Sequence, residues 1–435
     1  MFRILVAVSI LLCTGTLPAT AQSSRKVERK PQPAEFLESP WLVGTETLKH
    51  WQGLPDQVNA PDLRTRICPG QHVTVAVGAR GDDRDQFLRG QTYTISITTG
   101  AESKIYERLR PVQVRRIKAE GADFVISALR AGGVGSGETE AFMSMVSVAF
   151  FDLDWVPPAN AKDGSIKVLV KATSQGMTSH QLETSRVEFW TYERVVRDGG
   201  FKDAKARESW MMGYYQHPEP TRLLHQFRAS KDDEHAFQPN ARLFCAEVLK
   251  SDPSAARDLL ARLKAEEPVV RMIGVVAFMD AGYSLPGLLE AMPAEDREMF
   301  KVIPEKVPPL PDPYDLAPDV QNVMKVPSAF DMLWSLFLAT GDPKPVRAIA
   351  GALAWRKEGN DFLALRKSGK KPQGLTVDLV KGVSYMAAGW SLGSFYRTHP
   401  LVTDYIEAWK QDSTVPQVVR EELGTLLSNE AFKRD

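Results

Sequence analysis

The segment SRVEFWTYERVVRDGG, residues 185–200, is where the sequence changes its grammar. Upstream, short runs rich in Val, Ile, Thr and aromatics alternate apolar with polar residues, the period-two signature of strands. Downstream of Asp198, apolar residues recur every three or four positions, as in amphipathic helices. Read as a strand, residues 187–195 place Val187 and Phe189 on one face and Trp190 and Tyr192 on the other. Just beyond stands SWMMGYY, residues 209–215. A sheet that covers its core with Phe189 leaves Trp190 and Tyr192 facing outward. The expectation is that they bury against Trp210 and Tyr214 and form the interface between two domains. A ligand-stacking platform is the rival use of the same rings.

Working back toward the N-terminus, QHVTVAVGA (71–79), QTYTISITT (91–99), VQVRRIKA (112–119), ADFVISALR (122–130), FMSMVSVAFFDLDW (142–155) and GSIKVLVKATS (164–174) read as strands. Turn signals such as Gly81-Asp82, Glu120-Gly121 and Asp163-Gly164 separate them. About seven short strands at this spacing predict an antiparallel β-sandwich over residues 61–197. CPGQHVTVAV and DGSIKVLVKATSQGMTSHQLETSRVEFW resemble the opening and closing strands of secreted bacterial Ig-like modules. The resemblance covers about a quarter of the chain, lacks the paired cysteines and core Trp of antibody-type domains, and implies a docking or spacer module without catalytic residues.

Working forward, helical runs are expected at 203–215, 220–228, 239–250, 253–265, 268–280 and 294–303. After a Pro-rich connector at 304–318 they resume at 329–340, 343–354, 375–396, 400–410 and 416–427. Asp252-Pro253 and Asp342-Pro343 are start signals: Asp caps the orphan amides and Pro tolerates the first helical position. His217-Pro218 and His399-Pro400 carry the same grammar without the carboxylate. The spacing of these junctions is uneven, so an irregular α-solenoid or helical bundle over 203–430 fits better than a strict tandem repeat. YYQHPEP and FDMLWSLFLATGD resemble segments of helical bacterial envelope proteins, a likeness that implies no activity. The expected fold class is multidomain, all-β then all-α.

The first 21 residues read as a secretory signal peptide: Arg3, an apolar run at 4–12, and Ala19-Thr20-Ala21 as a cleavage site. The run is too short to span a bilayer, and GVSYMAAGWSLGSFY (382–396) fits a buried helix better than a span. The expected location is therefore periplasmic or secreted, with 22–60 a leader and docking segment. The 435 residues carry 54 basic and 54 acidic side chains. A chain so near neutrality lacks the broad positive field that nucleic-acid binding uses. RKSGKKP, residues 366–372, reads as a solvated basic connector.

Catalytic signatures are missing: no paired-histidine zinc motif, no Gly-x-Ser-x-Gly elbow, no phosphate loop with its Lys. His225, on an apolar helix, reads as a satisfied, partly buried group. Asp82, Asp83 and Asp85 read as a polar turn, with calcium ligation alongside Asp152 and Asp154 as the alternative. Cys68 and Cys245 show no metal spacing, and a disulfide between them is an open alternative. No cofactor is expected. The function these features point to is a non-catalytic exported scaffold or binding protein that uses its helical domain to engage another envelope protein. The alternatives are an envelope hydrolase with an inter-domain site and a periplasmic small-ligand carrier.

Overall fold

The computed structural model describes residues 34–37, 40–44, 54, 57–58, 66–68, 71–100, 102–117, 146–157, 162, 164–174, 177–184, 187–233, 237–369 and 374–428. The expected signal peptide, most of the leader and the strand expected at 122–130 lie outside these residues.

Antiparallel sheets fill the N-terminal part, and a mostly helical region follows. The first sheet holds β1 (Glu35–Phe36), β2 (Trp41–Gly44), β3 (Gln57–Val58), β5 (Val73–Arg80), β8 (Gln113–Ile117) and β9 (Val146–Asp152). Its order is β1-β5-β9-β8-β3, with β2 also on β5. The second holds β4 (Arg66–Ile67), β6 (Thr92–Thr99), β7 (Glu102–Leu109), β10 (Gly164–Ser174), β11 (Met177–Glu183) and β12 (Val187–Phe189). Its order is β4-β12-β10-β6-β7, with β11 also on β10. Two short pairings, β12 with β4 and β3 with β8, run parallel.

The two sheets read differently in sequence because they are buried differently. In β6 and β10 the pattern alternates: Tyr93, Ile95, Ile97, Ile166, Val168 and Val170 are buried, while Lys167 and Lys171 are exposed. In β5 and β9 the burial is continuous from Val73 to Ala79 and from Val146 to Phe151, Thr74 and Ser147 included, as expected of strands covered on both faces. Alternation divides each of these strands between two apolar cores. Val75, Val77, Ala149 and Phe151 join the residues of the second sheet in one core. Ala76, Val148 and Phe150 belong to the other, which continues into the helices.

The polar turn expected at 80–86 instead leads into α1 (Arg84–Gly90). The strand expected through residue 195 stops at Phe189, and Thr191 caps α2 (Tyr192–Asp198), its hydroxyl accepting from the Arg194 amide at 3.2 Å. The helices then run α3 (Ala204–Met212), a 3-10 turn (Pro220–Arg222), α4 (Leu223–Ala229), α5 (Pro239–Ser251), α6 (Pro253–Leu263), α7 (Pro268–Asp280), α8 (Leu285–Ala291), α9 (Ala294–Lys301) and α10 (Ile303–Lys306). After them come α11 (Lys325–Thr340), α12 (Pro343–Gly351), a 3-10 turn (Ala352–Trp355), α13 (Arg356–Lys367), α14 (Val377–Thr398), α15 (Pro400–Gln411) and α16 (Gln417–Ser428).

The caps explain the starts. Asp252 accepts from the Ser254 and Ala255 amides at 3.0 and 2.9 Å, and Asp342 from Lys344 at 2.8 Å. Pro218 starts no helix; the turn there begins at Pro220. Helix α11 is apolar nearly all round and sits at the centre of the helical core, where Phe330, Leu333, Trp334 and Phe337 are buried. The first residues of the Pro-rich connector are helical, within α10, and the stretch just after them is pinned by Arg242, which donates to the Pro308 carbonyl at 2.9 Å.

Candidate functional site

Two places qualify as candidate functional sites: the join between sheet and helices, and the outer face of α14.

At the join, α2 ends at Gly199, whose amide donates to the Val195 carbonyl at 2.7 Å. A Cβ there would lie 2.3 Å from that same oxygen, so only glycine lets the chain turn so tightly. The turn delivers Phe201 to Trp210, ring centroids 5.3 Å apart. Trp210 also meets Tyr214 at 5.4 Å and Phe244 at 5.7 Å, both edge-on, the favoured geometry for aromatic pairs. The Arg222 guanidinium lies 4.5 Å over Phe201, donates to the Gly199 carbonyl at 2.8 Å and pairs with Glu219 at 3.1 Å. His225 is buried, with Nε2 3.0 Å from the Val195 carbonyl. A carbonyl only accepts, so Nε2 carries the proton. Burial holds the His225 pKa below the ordinary histidine value, which keeps the ring neutral.

The four residues expected to form the interface divide into two pairs of roles. Trp210 and Tyr214 are buried in the helical core and touch each other. Trp190 is partly exposed: its indole donates to Glu188 at 2.6 Å, and Arg194 lies 4.3 Å over the ring. Tyr192 belongs to a helix rather than a strand. Burial and the nearby Asp252 carboxylate push its hydroxyl up to about 12, against a hydrogen bond with Ser254. Tyr192 therefore reaches the N-terminus of α6. The Trp190 backbone amide stays with the sheet, donating to Ile67 at 2.9 Å. Phe201, Arg222 and Phe244, which complete this cluster, were not read from the sequence. Gly199-Gly200 was the available signal for the turn that gathers them.

The other sequence candidates have structural work. Asp85 binds Arg116 at 2.8 Å and accepts from Ser147; burial works to raise its carboxyl, but these partners hold it below the usual value. Among the described residues, no group of three or more His, Cys, Asp or Glu is placed to hold a metal. Cys68 and Cys245 are both buried thiols, and burial pushes Cys245 up to about 12. His399 stacks on Phe395, centroids 4.9 Å apart, with Nδ1 3.3 Å from the Tyr215 hydroxyl. Phe395 in turn stacks on Trp334 at 3.7 Å.

Helix α14 is 22 residues long and uncharged from 382 to 396. Its core side carries Val380, Ser384, Ala388, Leu392 and Phe395, all buried. A second side meets α13 closely enough that a Cβ on Gly382 would lie 2.7 Å from the Glu358 carbonyl oxygen. On its remaining side stand Leu379, Val383 and Met386, partly exposed, and Trp390, 53% exposed. At 100° per residue these four fall within about 60° of one another. Among the described residues, no helix is long and apolar enough to cross a membrane.

No family model matches this chain, and no curated protein or solved structure is similar to it.

Proposed function

We propose that this chain is a non-catalytic scaffold or binding protein of the bacterial cell envelope, exported by its N-terminal signal and engaging another protein through its helical region. In this reading the two sheets form an Ig-like sandwich, and the helices an irregular bundle packed against it. The observation that carries the proposal is the charge-free, Trp390-bearing face of α14. Isolated apolar residues on a surface need no explanation, but an aligned stripe that ends in an exposed Trp has the composition of an interface hot spot. The join supports a non-catalytic role as well. His225 and Arg222 direct their polar atoms at backbone carbonyls of the turn that connects sheet to helices.

Site-specific photo-crosslinking in intact cells tests the reading. A photoreactive residue at position 390 should give a protein adduct in the envelope fraction, whereas one at the exposed Lys357 should not. The absence of any adduct at 390 would reject the interaction role. A reporter active only outside the cytoplasm, fused after residue 30, should be active, and deletion of residues 1–21 should silence it.

A further inference from the structure

The turn that leaves α2 is held by two side chains of the helical region. His225 on α4 donates from Nε2 to the Val195 carbonyl at 3.0 Å, and Arg222 donates from Nε to the Gly199 carbonyl at 2.8 Å. The Gly199 amide reaches the same Val195 oxygen at 2.7 Å, so one carbonyl ties the helix, its turn and the imidazole together. Arginine stays charged throughout the physiological range, whereas histidine changes charge within it. From this geometry we infer that His225 is an acid-released latch: on gaining a second proton it lets go of the turn at 199–201, and Phe201 leaves Trp210 while the packed core between sheet and helices stays closed. The closed ring has no place for that proton. Among the described residues Nδ1 has no hydrogen-bond partner; it faces Gly200, where a Cβ would lie 3.7 Å away. Phe201 meets the ring edge-on, centroids 6.4 Å apart. An imidazolium needs acceptors on both nitrogens, and opening brings water to the second.

The surrounding charges do not rescue the closed cation. Arg228 on the same helix and Arg222 on the 3-10 turn before it repel an imidazolium; Glu266, between α6 and α7, attracts it. Glu266 already accepts two bonds from Arg228, at 2.9 and 2.5 Å, and Glu219 pairs with Arg222 at 3.1 Å. The neighbouring elements bring charges that pair among themselves: Arg194 and Arg197 with Asp198 on α2, Arg262 with Asp258 on α6, Arg207 of α3 with Asp233, and Arg271 of α7 with Asp296. Burial holds the His225 pKa down, although the bond to Val195 works to raise it. The open turn therefore takes the proton first. Above about pH 6.5 the ring is neutral in both forms and the latch holds. As pH falls below that value the open form binds more protons, and opening becomes easier by up to about tenfold per unit until the closed ring titrates too.

Hydrogen exchange of the purified full-length protein, corrected for the intrinsic chemical rate at each pH, tests the latch. Between about pH 7.5 and 5, the amides of α2 and its turn should exchange about tenfold faster, while those of α11 should not speed up. His225→Gln can still donate to Val195 but cannot titrate, so its turn should stay protected at both values. Arg228→Gln alters a part-exposed side chain that the fold can spare. It removes one repelling charge and frees Glu266, so the acceleration should move to lower pH. Three results would overturn the inference: no acceleration in the native chain, the same acceleration in His225→Gln, or an onset that Arg228→Gln leaves in place. The last decides the matter even if His225→Gln fails to fold.

Discussion

Arg242 on α5 and Asp280 on α7 form a bidentate ion pair at 2.8 and 2.7 Å, with both side chains more than 90% buried. The third guanidinium nitrogen holds the Pro308 carbonyl, so one side chain ties two helices to the Pro-rich connector. Removing one partner strands a charge in the core. Asp280→Asn or Arg242→Met should lower stability by about 3–5 kcal/mol in urea unfolding, whereas the double change Arg242→Met/Asp280→Leu should recover most of that loss. A double variant as unstable as the sum of the singles would contradict this account.

Asp331 lies on α11, the most deeply packed helix, and burial alone raises its carboxyl to about 7. The unfolded chain releases this proton near pH 4, the folded chain only near 7. Stability contributed by the neutral form is fully present below about pH 4, declines as pH climbs through that window, and is lost above about 7. Asp331→Asn should leave stability unchanged at pH 4 and raise it by about 1–3 kcal/mol at pH 8. Equal effects at both values would show that the group titrates normally.

The α13–α14 contact depends on missing side chains. A Cβ on Gly359 would lie 2.0 Å from Tyr385 Cδ1, and one on Gly382 would meet both Glu358 and Phe362. Gly382→Val should cost about 1–3 kcal/mol or more by forcing the helices apart, despite valine's lower flexibility in the unfolded chain. Thermal unfolding of the variant should show the loss.

Trp210 and Trp190 should behave differently when truncated. Trp210→Ala empties a buried aromatic cluster and should cost about 3–5 kcal/mol. Trp190→Ala removes a ring held by Arg194 and Glu188 at a part-exposed position, and should cost about 1 kcal/mol. Calorimetry of the two variants side by side tests the division; equal losses would place Trp190 inside the core.

The sequence carried the helices well where punctuation and periodicity agreed. The run expected at 268–280 matches α7 residue for residue, and the Asp-Pro starts at 252 and 342 are true caps. The misses have physical causes. Strand β7, ESKIYERL, lies at a sheet edge and is exposed along most of its length, so it lacks an apolar face to announce it. Helix α13, RKEGNDFLALRK, bunches its apolar residues into the single run Phe362 to Leu365 between charged ends and has only Gly359 buried, so periodicity passed over it. At the join, the β-like aromatics of residues 189–192 outweighed Thr191, whose capping hydroxyl was the better guide. The apolar stripe on α14 stood in plain view as Leu379, Val383, Met386 and Trp390. Nothing in the letters alone said which of the helix's three sides faced outward, and that depended on where Gly382 and Leu392 found their neighbours.

The first sheet divides its side chains between two cores, and this limits how the chain can be taken apart. Cutting near residue 199, where strand gives way to helix, would strip the covering from Ala76, Val148 and Phe150 and hydrate a face made to stay dry. The N-terminal fragment should therefore aggregate or bind apolar dyes rather than persist as a free-standing unit. The chain is poorly suited to being recombined from interchangeable modules: the boundary most visible in its sequence is one of the places where its halves depend most on each other.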